Sequence, residues 1–481
     1  MDDEVSKKDK KFYITMIISI IIMFGFGYLP PFGEVTPMGM RALGILVGCV
    51  FAWCLGELVC SSILGLIILS LYNLGTMSVN YATAYGGMVA AITITVFIFC
   101  FAIERSGLLR EVSLWILGQK WAQKSPWMLV MAFYLAAVVG SFLTANPLAP
   151  LLLLWSLFYQ MAKELDLKPY DMLSSIILVG IGVFTYVGAT LVPYSSMPTI
   201  IRGLAVTIDP AFEFNMAMYM FLNLIFTILA VLLVVGVLRL LIGPKLNFKM
   251  QQKEAYKMQL NGTMKWVICY VAILVGAMLA SNILPKGNFI RVMFGDKLGV
   301  VGTAMLLSVL MMITRVEHKP ILDIIEGLKN VPWTIVLMVT SALTISDYLT
   351  KNEAGVLTTI VAVIEPLVAG KSSLIIILIF MAIGMLMTNM LNDIVTLVVL
   401  YPIAVQFIAS SGGSVMLFTL LFSQMTVQGC FLPSGSATGA LFHGNAEWLR
   451  SKDVFKYVAI IECVLLIAGC LVVLIGRQIG I

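Results

Sequence analysis

The sequence predicts an all-α polytopic membrane protein with about eleven transmembrane helices and two re-entrant hairpins in an inverted repeat. Its 481 residues are 60% hydrophobic and 11% charged, with a mean hydropathy of +1.01. A globular domain is about half apolar and about a quarter charged. The apolar runs approach about 20 residues, the length of a spanning helix and about twice that of a barrel strand. Two pairs of shorter runs meet at polar residues inside apolar sequence, which predicts the hairpins.

Lysines predict how the chain begins. Lys7, Lys8, Lys10 and Lys11 precede the first apolar segment, and we interpret them as a cytoplasmic tail rather than as part of a cleaved leader. The tail and the first transmembrane helix form region 1–35. The apolar segments lie at 12–29, 38–55, 58–75, 88–104, 127–143, 147–160, 172–207, 214–243, 264–284, 298–314, 332–348, 373–388, 393–410, 416–442 and 454–476.

Two of these segments, 147–160 and 373–388, are too short for a full crossing, which needs about 20 residues. Each is paired with a neighbour across a polar residue, Asn146 in one case and Asn392 in the other. Two short apolar arms joined by a polar tip are typical of a re-entrant hairpin. The sequence therefore predicts hairpins at 127–160 and 373–410.

A second basic region marks the middle of the chain. Five lysines lie between positions 245 and 265, and we predict that the linker 244–263 is cytoplasmic. Six crossings precede the linker if 127–160 is a hairpin, and five follow it. The expected location is the inner (plasma) membrane, with the N-terminus in the cytoplasm and the C-terminus outside.

The two halves on either side of the linker repeat the same features in the same order. Asn146 matches Asn392, and at similar distances downstream Pro193 matches Pro433. Each hairpin is followed by a helix that proline, serine, threonine and glycine interrupt. The broken helices are predicted at 172–207 and 416–446, within a first repeat at 36–243 and an inverted second repeat at 264–481.

Inverted repeats with broken helices near the membrane centre are typical of secondary transporters. Unwound backbone in hydrocarbon costs several kcal/mol for each unpaired group, unless it lines a wet cavity or binds a solute. Helix N-termini attract anions, and free carbonyl groups can bind a cation. We therefore expect the polar tips to face a cavity for a substrate or an ion.

Three stretches resemble one family. They are NDIVTLVVLYPI, LVPYSSMPTII and FLPSGSATGALFHGNAEWLRSKDVFKY. Their order and spacing are similar to those of the divalent anion/sodium symporter (DASS) family of the ion transporter superfamily. The resemblance implies homodimers that import small carboxylates, usually with sodium, by elevator-like movement of a transport domain. The sequence departs from the family's Ser-Asn-Thr tips, since it has Ala145-Asn146-Pro147 in the first and Leu391-Asn392-Asp393 in the second.

The candidate site residues lie at the tips and breaks. Substrate contacts are predicted at Thr144, Ala145, Asn146, Pro147, Asn389, Asn392, Asp393, Ser196 and Ser436. Sodium or proton sites are predicted at Ser141, Asn146, Gly188, Thr388, Asn392 and Asp393. No organic cofactor is expected. The expected partners are a small organic anion, a coupling cation, the lipid bilayer and a second copy of the chain, with no nucleic acid.

Asp393 places a carboxylate where the family has a neutral hydroxyl. We hypothesise that it binds a coupling cation or carries a proton, because an unpaired charge is costly at this depth. The alternatives are pairing with a basic residue or capping of the following helix.

Other classes of function find less support in the sequence. It has no nucleotide-binding loop, HExxH motif or catalytic histidine constellation, which argues against an enzyme. A sodium/proton antiporter of the same superfamily remains an alternative, with Asp393 as its central carboxylate. An ion channel is less favoured because the polar residues concentrate at tips and breaks. The identity of the solute, and the choice among sodium coupling, proton coupling and exchange, stay open.

Overall fold

The structure is a computed structural model that describes residues 2–55, 57–243, 254–285, 287–368, 370–391, 393–432 and 435–480. Three residues of the predicted tips and breaks, Asn392, Pro433 and Ser434, lie outside the described residues. So do residues 244–253, which form half of the predicted linker. The predictions made for these positions stay predictions.

Helices make up most of the described chain, which confirms the predicted fold class. In chain order, α1 to α11 are Asp2–Gly25, Pro37–Cys54, Leu58–Leu71, Met77–Tyr85, Met88–Arg105, Leu108–Leu117, Pro126–Thr144, Leu148–Glu164, Met172–Thr190, Ser196–Ile208 and Met216–Ile242. Helices α12 to α22 are Gly262–Ile283, Phe289–Arg291, Gly299–Ile313, Ile324–Asn330, Trp333–Thr350, Val356–Val368, Ser373–Met390, Asp393–Ser410, Val415–Thr426, Ala437–Gly444 and Ser451–Gln478. Short 3₁₀ turns at Phe26–Tyr28 and Asn352–Ala354 and a π-helical turn at Val292–Lys297 complete the helical structure described.

One small exception to the all-helical prediction is an antiparallel pair of two-residue strands. Strand β1 (Arg315–Val316) pairs with β2 (Lys319–Pro320) in a tight hairpin. Glu317 and His318 form its turn, and both have positive φ angles. This charged stretch is thus a β-hairpin.

Polar side chains fix where several helices begin. The side-chain oxygens of Thr36, Ser125, Asn215 and Asn261 accept hydrogen bonds from backbone N–H groups in the first turns of α2, α7, α11 and α12. Such a cap satisfies an N–H that has no partner within the helix, and it typically contributes about 1 kcal/mol. Local sequence thus determines these helix starts.

The number of candidate membrane spans is close to the predicted number of about eleven crossings, and it includes three helices predicted as hairpin arms, α7, α18 and α19. Among the described residues, ten helices are long and apolar enough to cross a membrane, judged by length and composition. The number rises to twelve if each of two bent pairs is one span. These pairs are Met77–Tyr85 with Val89–Arg105, bent by 41°, and Phe289–Lys297 with Gly299–Ile313, bent by 98°.

The hairpin arms are longer than predicted. Segment 373–388 was expected to be too short for a crossing, but α18 has 18 residues and passes the same length and composition test as α7 and α19. That expectation was wrong, because α18 continues as a helix through the polar Thr388 and Asn389. Helix α8 has 17 residues. Re-entrant entry from one side of the bilayer stays a prediction.

The chain divides into two compact units. The first comprises Met1–Ala91, Ile200–Glu213 and Pro332–Thr419. The second comprises Ile92–Thr199, Phe214–Val331 and Leu420–Ile481. Each unit therefore combines segments from both predicted repeats, so the repeats do not coincide with the compact units.

Close packing of α7 on α9 is the main feature of the second unit that positions the site. A side chain on Gly188 would overlap the backbone of Val138, and one on Gly180 would overlap the ring of Tyr134. The Tyr134 ring also stacks on Phe184 at 4.6 Å between centroids, and its hydroxyl donates to the Ile176 carbonyl at 3.0 Å. Glycine at these two positions lets the helix backbones approach closely.

Candidate functional site

The first hairpin turns over Ala145 and Asn146. Helix α7 ends at Thr144, and Ala145 then adopts a left-handed conformation with φ of 49°. The Thr144 hydroxyl, which is buried, lies 3.0 Å from both the Gly140 and the Asn146 carbonyl oxygens. These contacts close the turn, so the direct role of Thr144 is to shape the tip.

Asn146 uses both ends of its side chain. Its Oδ1 accepts from the backbone N–H of Leu148, the first residue of α8, at 3.0 Å and so provides a partner for a group that has none within the helix. Its Nδ2 donates to Oε1 of Glu104 at 3.2 Å. The amide is thus held between a helix N-terminus and a carboxylate, while Pro147 contributes no N–H to the turn.

The first broken helix is interrupted between α9 and α10. Helix α9 ends at Thr190, and α10 begins at Ser196. The intervening backbone forms only short-range bonds, such as those from Leu191 N–H to the Gly188 carbonyl and from Val192 N–H to the Ala189 carbonyl. This interruption falls at Pro193, where the sequence predicts the break.

A small cavity joins the first tip to the first break. Its volume is about 10 Å³, and its lining residues come from α5, from the hairpin turn and from the break. They are Thr93, Val96, Phe97, Cys100, Ala145, Tyr194, Ser195 and Ser196. A cavity of this size accommodates roughly one water molecule or one small ion. The structure therefore brings Ala145 and Ser196 together, as predicted for site residues, but in a closed arrangement.

Three hydroxyl groups, one lining this cavity and two within about one helical turn of a lining residue along the chain, have no hydrogen-bond partner among the described residues. They belong to Ser141, Tyr194 and Thr199, each of which is almost fully buried. An unpartnered buried hydroxyl typically costs about 1–3 kcal/mol. Ser141 was predicted as a cation ligand, and its unpartnered oxygen is compatible with that role. For Gly188, also predicted as a ligand, the close contact with Val138 already explains why the residue is glycine.

The second hairpin turns between α18 and α19, in the first compact unit. The Thr388 hydroxyl donates to Oδ1 of Asp393 at 2.7 Å across the turn. The Asn389 Nδ2 donates to the Met385 carbonyl at 3.0 Å. Asp393 is the first residue of α19 and is 4% exposed. The structure thus brings Thr388 and Asp393 together, at the positive end of a helix dipole.

The second break lies in the second unit, between α20 and α21. Ser436 is buried, and its hydroxyl accepts from the Gly439 N–H at 3.1 Å, so it caps α21. Gln424, in the last turn of α20, and Gln428, two residues after the end of that helix, are fully buried, and their amide oxygens lack partners among the described residues. We did not predict these glutamines. Their i, i+4 spacing within an apolar run is the signal that points to them.

Glu104 is the main site residue that the sequence analysis missed. It lies near the end of an apolar run, where an interfacial position is the simplest interpretation. In the structure it is half-buried and hydrogen-bonded to Asn146, which is 42 positions further along the chain. No spacing rule connects residues so far apart, so only the fold reveals this pair.

Apolar helices interrupted at polar backbone are typical of secondary transporters. The profile of the CitMHS citrate transporter family matches residues 49–425, and the chain belongs to this family. It is therefore a transporter and not an enzyme. No curated protein sequence matches the chain significantly.

Two solved transporters show a similar fold. The crystal structure of the YdaH transporter from Alcanivorax borkumensis, reported to have an unusual topology, superimposes with a TM-score of 0.60 at 15% identity. The match covers 85% of this chain and 89% of that one. Neisseria gonorrhoeae MtrF, described within a class of antimetabolite efflux pumps, gives a TM-score of 0.56 at 12% identity, with 95% and 97% covered. At these identities the likeness concerns the fold alone.

Proposed function

We propose that the protein imports a small organic anion, a di- or tricarboxylate such as citrate, by secondary active transport. The observation that carries this proposal is the match to the citrate transporter family, because residues 49–425 include both hairpin turns and the first break. The narrower resemblance to the divalent anion/sodium symporter family adds coupling to sodium, with protons or exchange as alternatives. It also adds homodimers and an elevator mechanism to the proposal. The basic segments add a cytoplasmic N-terminus and an outside C-terminus in the inner membrane.

The geometry of the first tip supports an anion site. Helix α10 begins with the cavity-lining Ser196, and α8 begins at Leu148, three residues after the cavity-lining Ala145. Helix N-termini carry partial positive charge and N–H groups that favour carboxylates. Because no lining residue of this described cavity is basic, a bound di- or tricarboxylate would need charge compensation by a coupling cation or by protons.

Glu104 and Ser141 support a cation near the same tip. The Glu104 carboxylate contacts Asn146, and the buried Ser141 hydroxyl has no partner in the described structure. Oxygen ligands of these types suit hard cations such as sodium. A cavity of about 10 Å³ is too small for a carboxylate substrate, so we expect the tip and the break to separate when the anion binds.

Sodium/proton antiport is the second candidate function, favoured by one observation. The Asp393 carboxylate is buried at the second hairpin turn, where it accepts a hydrogen bond from Thr388. Buried carboxylates within membrane segments often bind ions or protons. A channel is less favoured, because the polar groups cluster at turns and breaks.

Uptake by proteoliposomes tests the proposal. We expect labelled citrate or a dicarboxylate to accumulate, and an inward gradient of sodium or of protons to increase the accumulation. Empty liposomes control for leakage, and preloading with unlabelled anion tests exchange. Proton movement driven by sodium without any anion requirement would instead establish antiport. Ion currents far above carrier rates would establish a channel, and either result would refute the import proposal.

A further inference from the structure

Helix α11 contacts the backbone of both interrupted helices through two buried polar residues. Tyr219 and Asn223 are one turn apart on α11, and both are fully buried in the second unit. The Tyr219 hydroxyl donates to the carbonyl of Thr190, the last residue of α9. The same hydroxyl lies 3.1 Å from the Ser423 hydroxyl of α20.

The Thr190 carbonyl needs a partner because of the break. The last four carbonyl groups of an α-helix have no N–H available from the following turn. After Thr190 the chain leaves the helix, and the next N–H groups bond to Gly188 and Ala189 instead. Tyr219 supplies the missing donor from another helix, in a site that is fully buried.

Asn223 and Gln424 make further contacts with the backbones of α20 and α9. The Asn223 Nδ2 donates to the Leu420 carbonyl of α20 at 2.9 Å, within two turns of the end of that helix. The Gln424 Nε2 donates to the Val187 carbonyl of α9 at 3.4 Å. These four residues, Tyr219, Asn223, Ser423 and Gln424, form a set that we call the polar clasp.

We propose that the polar clasp holds the ends of α9 and α20 in register, and that Tyr219 is a positioning residue for the first break. The six residues that follow Thr190 include Tyr194, Ser195 and Ser196, which line the cavity beside Ala145. Anchoring the end of α9 therefore sets where these side chains lie. The clasp matters for transport only if the proposed function holds, but its structural effect can be measured without transport.

Cys100 provides a direct reporter of the first break. Its thiol is 2% exposed and lines the same cavity, whereas Cys60, Cys269 and Cys463 are exposed and serve as internal references. The experiment measures the rate at which a membrane-permeant maleimide modifies each cysteine of the full chain, by mass spectrometry, without substrate. Tyr219→Phe removes one hydroxyl and keeps the ring, whose centroid lies 5.4 Å from that of the Phe214 ring.

Tyr134→Phe is a matched control. It also removes a fully buried hydroxyl that donates to a carbonyl of α9, but at Ile176, far from the break. We expect Tyr219→Phe to accelerate Cys100 modification by a factor of about two to ten, the equivalent of one ordinary hydrogen bond. Tyr134→Phe should leave this rate close to that of the native protein, and the reference cysteines should react equally in both variants.

A second variant tests the clasp independently at the second break. Asn223→Leu keeps the side-chain size but removes the contact with Leu420, and we expect it to accelerate modification of the buried Cys430. Unchanged rates in both variants, or equal acceleration by Tyr134→Phe, would overturn the proposal.

In uptake assays, Tyr219→Phe should raise KM more than it lowers the maximal rate. Altered labelling of the variants together with absent uptake by the native protein would refute only the proposed function.

Discussion

Asp393 shows how one carboxylate can be accommodated among apolar residues. It begins α19, where the helix dipole favours negative charge, and it accepts a hydrogen bond from Thr388 at 2.7 Å. Both features suit a carboxylate oxygen, and both come from residues close to Asp393 along the chain. A position at the start of a helix is one of the interpretations that the sequence left open, and the described geometry agrees with it. This position is also compatible with an ion-binding role.

Asp393→Asn removes the negative charge of the side chain and keeps its shape. The amide oxygen can still accept from Thr388, so we expect the turn to keep its shape. If the carboxylate binds the coupling cation or proton, the sodium or pH dependence of uptake should be lost while some uptake remains. The measurement is the initial rate of anion uptake as a function of sodium concentration and pH.

Thr388→Val is the control for this prediction, because it removes the hydrogen bond and keeps the charge. It should weaken uptake while retaining the ion dependence. If Asp393→Asn retained the native ion dependence, the carboxylate would have only a structural role.

Glu104 offers a second residue-scale prediction, at the first tip. Glu104→Gln keeps an oxygen that can accept from Asn146 Nδ2 and removes the negative charge. We expect the apparent affinity for the coupling cation to fall about tenfold or more, with a smaller change in the KM for the anion. Asn146→Ala, by contrast, should abolish the dependence of uptake on the cation and on the anion. It should also lower the free energy of unfolding by about 1 kcal/mol, because it removes the hydrogen bond to the Leu148 N–H. A Glu104→Gln variant with native cation affinity would exclude the carboxylate as a ligand.

At the scale of elements, sequence patterns predicted the breaks better than the helix ends. Proline, serine and glycine near Pro193 disrupt helical hydrogen bonding locally, so the gap between Thr190 and Ser196 could be expected. The end of α18 could not, because hydropathy falls at Thr388 although the helix continues to Met390. There Asn389 and Thr388 bond to neighbouring groups and remain compatible with helix. Hydropathy therefore measures solvent preference and does not mark where a helix ends.

A substitution at Gly188 distinguishes a role in helix packing from a role as a cation ligand. Gly188→Ala would place a methyl group against the Val138 backbone, and overpacking of this kind typically costs about 1–3 kcal/mol. We expect a lower melting temperature in detergent for this variant. Gly236→Ala on α11 is the control, since nothing lies within 4 Å of the added carbon, and it should be neutral or slightly stabilising. Native stability of Gly188→Ala together with lost sodium dependence would favour ligation instead.

At the scale of the whole molecule, the sequence repeats and the compact units divide the chain at different positions. The first hairpin, α7 with α8, belongs to the second unit, whereas α18 and α19 belong to the first. Residue patterns detect the repeats because matching segments share composition. The compact units depend on contacts between distant segments, such as α19 with α16 and α17, which single-sequence patterns do not specify.

Whether the second hairpin re-enters or crosses is a question of the depth of its turn. Arms of 18 residues each are long enough to carry the turn through the bilayer, but the turn holds the buried Asp393 and Thr388. Placing such groups in a solute cavity inside the membrane explains their burial better than placing them in bulk water. We therefore expect a thiol introduced by Leu391→Cys to resist membrane-impermeant maleimide from either side of the membrane. Ser372→Cys, at the exposed start of the first arm, should react from one side only. Rapid labelling of position 391 from the side opposite to position 372 would show that both arms cross, and it would remove the second hairpin from the proposed transport site.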